Sequence, residues 1–174
     1  MEFKILEEAF KGEEFDSIFE IGCANGGLLA DIRKEYPNAV VGGMDISRSI
    51  QGSKDRFPDC SDKFVQGDIT EEWPYADKSY DIVFSVGVLM YIFDPLKVIR
   101  EMCRVAKKKL ILIEYHHIAV GPCGQLVQGY IEGDKMQTGI IRNYMALFQI
   151  LKIPMEINFI ETNIGKTIIK CTLK

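Results

Sequence analysis

The chain holds two histidines and one tryptophan, and no apolar run approaches the roughly 20 residues that a membrane helix needs. Its longest apolar stretch, residues 82–93, is closed by Asp81 and Asp94. The opening Met1-Glu2-Phe3-Lys4 lacks the basic start and apolar middle of a secretion signal, so the cytoplasm is the expected compartment. Cysteine is sparse and scattered: Cys23, Cys60, Cys103, Cys123 and Cys171 form no Cys-x-x-Cys pair. That spacing speaks against zinc and dithiol chemistry and for reduced, buried thiols; no metal is expected. Positive charge is also short, with a formal net charge of −4 and one basic cluster, Lys107, Lys108 and Lys109. Without a field that gathers polyanions, nucleic acid is not an expected partner. No repeat, low-complexity tract or linker interrupts the chain, which reads as a single domain over residues 1–174.

What the sequence does contain is an alternation of short β-rich runs with longer helical patterns, the signature of βαβ units. Ser17-Ile18-Phe19-Glu20-Ile21 is the first strand, and a helix with Leu28, Leu29, Ile32 and Tyr36 on one stripe follows it. Residues 39–44 form the second strand, after which Ser47 is expected to cap a weaker helix. Residues 63–66 are the third strand, and 70–80 reads as a polar surface connection. Residues 81–86 are the fourth strand. Asp94 and Pro95 open a helix as N-cap and first residue, and the three lysines suit that helix's C-terminus. Residues 110–113 are the fifth strand. From 114 to 135 the pattern is aperiodic and glycine-rich, as a covering loop would be, and a helix resumes near Met136. Two strands, 156–160 and 167–173, close the chain; their short connection makes them antiparallel.

In an open α/β sheet, ligands bind at the carboxyl ends of the strands. Four of these ends carry informative residues. After the first strand comes Gly22-Cys23-Ala24-Asn25-Gly26-Gly27, whose glycines admit a ligand close to the backbone. After the second stands Asp45, followed by Ile46; a carboxylate there can accept both hydroxyls of a ribose. After the third, Asp68 and Ile69 offer an acceptor for an adenine amine and an apolar contact for its face. After the fourth, Ser85-Val86-Gly87 leaves room for the rest of a ligand.

This set resembles the class I S-adenosylmethionine-dependent methyltransferases, in their small-molecule branch. The family's acid-x-Gly-x-Gly-x-Gly motif is matched by Glu20-Ile21-Gly22-Cys23-Ala24-Asn25-Gly26, with alanine at the middle glycine. Asp45, Gly67-Asp68, Tyr80-Asp81-Ile82-Val83 and Val88-Leu89-Met90-Tyr91-Ile92 continue the likeness over nearly the whole chain. The resemblance implies a Rossmann-like seven-stranded α/β sheet in the order 3-2-1-4-5-7-6, its last strand antiparallel, with helices on both faces. It implies S-adenosylmethionine as cofactor and S-adenosylhomocysteine as product. Glu20 would order the methionine amine, and residues 22–26 would pass under the amino acid and ribose. Asp45 with Ile46 would hold the ribose, Asp68 with Ile69 the adenine, and Ser85 and Val86 would border the remainder. Two other readings stand beside it. Gly-x-Ala-x-x-Gly also fits a dinucleotide-binding turn, which would make the chain a nicotinamide oxidoreductase. The same fold could also serve as a non-catalytic partner subunit.

On the acceptor side, the position after the fourth strand reads Ser85-Val86-Gly87-Val88 and lacks the Asn/Asp-Pro-Pro-Tyr/Phe of base-amine methylation. Cys123 lies too far into its loop to be read as a nucleophile. His116 and His117 follow the fifth strand and are candidate proton acceptors; with Glu114 they also make a weaker metal-ligand set. Tyr91, Arg142 and Tyr144 are candidate acceptor contacts, and residues 115–143 a cover over the acceptor site. The expected reaction is methyl transfer to a small molecule or biosynthetic intermediate, at oxygen in preference to nitrogen.

Overall fold

Ile18 and Phe19 are neighbours in β1 (Ser17–Ile21), and each is fully buried on its own face of the sheet. A strand hidden on both faces must sit at a sheet's centre between layers of helix. The computed structural model describes residues 2–120, 124–132, 135–162 and 165–174, with side chains described outside 2–3 and 126–138. β1 pairs in parallel with β2 (Val40–Asp45) on one side and β4 (Tyr80–Val86) on the other. β3 (Phe64–Gln66) and β5 (Ala106–Glu114) extend the parallel sheet outward. β9 (Thr167–Leu173) then runs antiparallel to both β5 and β8 (Met155–Glu161). The order β3-β2-β1-β4-β5-β9-β8 is the expected 3-2-1-4-5-7-6 with its last two strands renumbered.

The renumbering comes from a two-stranded sheet, β6 (Gln125–Glu132) and β7 (Lys135–Ile141), which pair antiparallel where a loop and a helix start are expected. The helix α5 (Tyr144–Leu151) begins only after it, capped by Asn143, whose Oδ1 accepts the Ala146 amide at 3.1 Å. Cys123 lies outside the described residues. One face of the main sheet carries α4 (Pro95–Val105) and α5, the other α1 (Glu2–Phe10), α2 (Gly27–Glu35) and α3 (Ile50–Arg56). Asp94 caps α4 as expected, accepting the Leu96 amide at 3.1 Å ahead of Pro95.

Three further local expectations give way to tertiary structure. The connection 70–80 is not all surface: Trp73 is buried, its ring 5.9 Å from Phe19 and its indole donating to the Ile69 carbonyl at 2.9 Å. Ser47 does not cap α3, which starts at Ile50; its amide instead donates to Asp45. The three lysines lie in β5 and not at the end of α4. Lys109 ion-pairs with Glu13, while Lys107 and Lys108 approach Asp81 at 3.8 and 3.5 Å. Those acids are 96 and fewer than 30 positions away in sequence, outside any local window.

Candidate functional site

The glycine turn after β1 is built from left-handed backbone. Gly22 has φ 68 and Gly26 φ 72. A side chain on Gly22 would run into Val88, and one on Gly26 into the Phe57 ring. Both positions therefore need glycine for conformation and for room. Ala24 between them also has positive φ, 46, which strains a residue with a Cβ. The amides of Gly22 and Cys23 donate to the Met44 carbonyl, lashing the turn to the end of β2. Gly26 stands at the N-cap of α2 and offers no side chain to the first-turn amides.

Three carboxylates stand at or near the carboxyl ends of β1, β2 and β3. Glu20 is 2 % exposed and lies in register with Gly43 and Phe84, one residue short of the end of β1. Asp45 ends β2; its Oδ2 accepts the Ala24 amide at 2.8 Å and its Oδ1 the Ser47 amide at 2.7 Å. Asp68 follows β3, and its Oδ1 accepts the amide and hydroxyl of Thr70, both at 2.8 Å. Those two bonds hold its carboxyl below the usual range. Beside Asp45, Ile46 is 69 % exposed, an open apolar contact next to the turn. Ile69 is instead packed in the core with Phe19 and Trp73. Cys23 is buried, and burial, then the charges of Glu20 and Asp45, push its thiol far up, so it is no nucleophile. Asn25 is exposed on the turn, its carbonyl accepting from Arg56.

Beyond β4 the chain makes a short helical turn over Leu89–Tyr91. Glu114, the last residue of β5 and fully buried, aims one oxygen at the start of this segment. Its Oε1 accepts the Ser85 hydroxyl at 3.0 Å and the amides of Val88 and Leu89 at 3.1 Å each. Its Oε2 has no hydrogen-bond partner among the described residues, and burial raises its pKa against those three donors and Lys166. Ser85 is therefore bound to Glu114, while Val86 is half-buried at the strand end.

Arg142 is fully buried as well. Its Nη1 donates to the Leu89 carbonyl at 2.7 Å, and its Nη2 to the carbonyls of Ile92 and of Phe93, the latter at 3.3 Å. An arginine so engaged holds its own backbone, where a surface contact with an acceptor is expected. Tyr144 is 1 % exposed and sits in the core with Leu147 and Phe148. Of the three candidate acceptor contacts only Tyr91, at 55 %, is exposed.

Both histidines follow β5, and the Nδ1 of each ring is in use. The Nδ1 of His116 accepts the Tyr144 amide and that of His117 the Ala119 amide, each at 3.2 Å. In a neutral imidazole, an accepting Nδ1 leaves the proton on Nε2. A ring in that tautomer presents a donor where a general base needs a bare nitrogen. Burial lowers the pKa of His116, which keeps it neutral near pH 7. Among the described residues no group of three His, Cys, Asp or Glu side chains could hold a metal ion. No described helix is long and apolar enough to cross a membrane. A groove of about 560 Å³ between α1 and α2, lined by Leu6, Phe10, Ile32 and Tyr36 among charged residues, lies at the opposite end of α2 from the glycine turn.

In the sequence, the glycine turn, Asp45 and Asp68 are legible from strand ends, whereas Glu114 is legible only as a weak metal ligand and its grip on the next loop is not. The signal was there in outline: a lone acid closing an apolar strand has to find donors.

The profile of a methyltransferase domain family matches residues 9–138. A malonyl-[acyl-carrier protein] O-methyltransferase from Halalkalibacterium halodurans is 27% identical over 95 residues, covering 52% of this chain and 35% of that protein. Ajmaline N-methyltransferase from Rauvolfia serpentina is 25% identical, covering 88% of this chain and 60% of that one. The chain thus spans less than two thirds of these relatives' length. A solved SAM-dependent methyltransferase from Aquifex aeolicus shares the fold with a TM-score of 0.68 at 16% identity, over 98% of this chain and 88% of that one. The expected fold is borne out, and the family match is to a methyltransferase domain and not to the nicotinamide reading.

Proposed function

Because this chain belongs to the methyltransferase domain family, we propose that it moves a methyl group from S-adenosylmethionine to a small-molecule acceptor, releasing S-adenosylhomocysteine. The observation that carries the reading is the gathering of Glu20, the turn at 22–26, Asp45 and Asp68 at consecutive strand ends. When bound, the cofactor supplies an electrophilic methyl carbon on a sulfonium. Glu20 takes its amine, and the turn passes beneath its amino acid and ribose. Each Asp45 oxygen accepts one backbone amide and keeps a lone pair for a ribose hydroxyl. Asp68 turns its second oxygen to the adenine amine, and Ile46, open beside Asp45, supplies the apolar face in place of the core-packed Ile69.

On the acceptor side, Tyr91 lines the pocket, the β6–β7 pair walls it, and Arg142 and Tyr144 support it from behind. With their protons on Nε2, His116 and His117 donate to an acceptor and do not deprotonate it. The preference for oxygen then loses its histidine support, and in-line positioning is the main source of rate. The acceptor is a group nucleophilic as it arrives, such as a neutral amine or an ionised oxygen. Incubation with methyl-labelled S-adenosylmethionine and fractionated cell extract tests this. Label in a low-mass product is expected; label confined to protein or nucleic acid would overturn it.

A further inference from the structure

The segment 88–93 stands between the two halves of the site and touches both. Val88 occupies the space a side chain on Gly22 would fill, so the segment rests on the glycine turn. Met90 likewise fills the space beside Gly139, on β7. Leu89 lies between these contacts and is fully buried. Tyr91, the next exposed side chain, faces the acceptor end in the reading above.

Five backbone groups of this short segment are held by two side chains from elsewhere. Glu114 accepts the amides of Val88 and Leu89 through one oxygen. Arg142 donates to the carbonyls of Leu89, Ile92 and Phe93. Both groups are fully buried, where hydrogen bonds to charged groups are strong and their loss leaves polar atoms stranded. Glu114 grips the amide end of the segment and Arg142 its carbonyl end, so the segment is anchored at both ends.

We propose that Glu114 and Arg142 are a positioning pair that couples the cofactor turn to the acceptor wall, by fixing the segment that carries Val88, Met90 and Tyr91. Pressure from a ligand seated on the glycine turn then reaches Tyr91 and β7 through the segment held at both ends. The proposal rests on the cofactor reading of that turn. Neither side chain touches the reacting atoms; both act through the backbone they hold.

The test needs no acceptor. The protein is labelled with 3-fluorotyrosine, and the Tyr91 resonance is assigned by its loss in Tyr91→Phe. Calorimetry with S-adenosylhomocysteine runs in parallel. In the wild type, saturation is expected to shift the Tyr91 resonance. Glu114→Gln keeps the accepting oxygen and should keep the shift. Arg142→Lys, which cannot fork to three carbonyls, and Glu114→Ala should bind the ligand and lose the shift. A wild-type Tyr91 resonance that ignores bound ligand overturns the proposal, as does a full shift in Arg142→Lys. Should Glu114→Ala fail to fold, the wild type and Arg142→Lys decide. Silent calorimetry in the wild type would instead remove the cofactor reading, and the proposal with it.

Discussion

The backbone of Leu89 is held from both sides. Its amide donates to Glu114 Oε1 at 3.1 Å and its carbonyl accepts from Arg142 Nη1 at 2.7 Å. The two side chains come from the end of β5 and from the residue after β7, so three separate stretches meet at one residue. That meeting fixes the backbone that follows β4.

Glu114 should leave a mark on the pH dependence of stability. Burial raises its folded-state pKa above the ordinary 4.5, against the opposing bonds from Leu89, Ser85 and Val88 and the charge of Lys166. Tyr144 and the Arg142 guanidinium also face this region. Between the unfolded and the raised folded value, the native state binds more protons, so stability falls as pH rises through that window and levels off above it. Glu114→Gln has no proton to release and should lack this decline. Urea melts of both proteins at steps across acid to neutral pH should therefore give a difference that changes over the window. A constant difference would contradict the dominance of burial at Glu114.

Ala24 stands in left-handed backbone at φ 46, where the family motif has glycine. A Cβ there costs about 1 kcal/mol relative to glycine, net of the extra freedom glycine has when unfolded. Ala24→Gly should raise stability by about that amount, a Tm increase of about 2–4 °C for a domain of this size. Thermal melts decide; an unchanged or lower Tm would mean that the turn relaxes its strain elsewhere.

Asp45→Ala should weaken S-adenosylhomocysteine binding by about 10- to 150-fold, the equivalent of about 1.5–3 kcal/mol for charge-assisted hydrogen bonds. From sequence alone the residue faces only a ligand, which leaves stability untouched. Its bonds to the amides of Ala24 and Ser47 change that expectation to a loss of about 1 kcal/mol. Calorimetry and melts on the same sample separate the two effects. Unchanged affinity in a folded variant would remove Asp45 from the site.

Replacing Lys107, Lys108 and Lys109 with Gln should lower stability near neutral pH while leaving S-adenosylhomocysteine affinity intact. They sit at the amino end of β5, away from the glycine turn, against the buried acids Glu13 and Asp81. Burial alone would raise both carboxyls, yet lysines hold them below their ordinary values, Lys109 and Lys170 at Glu13 and, with the Asp16 amide, Lys107 and Lys108 at Asp81. That stability is present above the unfolded carboxylate range and is lost as pH falls. The variant should therefore show a shallower acid loss, read from melts at stepped pH. A loss of ligand affinity would contradict the placement.

What was legible in the sequence follows from range. Gly22, Gly26, Asp45 and Asp68 stand at strand ends, so a local pattern locates them, and the strand order followed from the family resemblance. Trp73 was not legible, because polar neighbours hide a single aromatic that turns back onto Phe19. The β6–β7 pair was missed because glycines break its alternation. Arg142 looks like a surface residue until the carbonyls it holds, about 50 positions earlier, are folded against it. For Trp73 and Arg142 the partner is distant in the chain, and the residue type alone says nothing of it.

The central claim is that the turn after β1, with Glu20, Asp45 and Asp68, is an S-adenosylmethionine site. Titration calorimetry of the unmodified protein with S-adenosylmethionine, S-adenosylhomocysteine and NAD tests it most directly. Binding of the first two with no heat from NAD is the predicted result. Tight NAD binding, with silence from the other two, would contradict it.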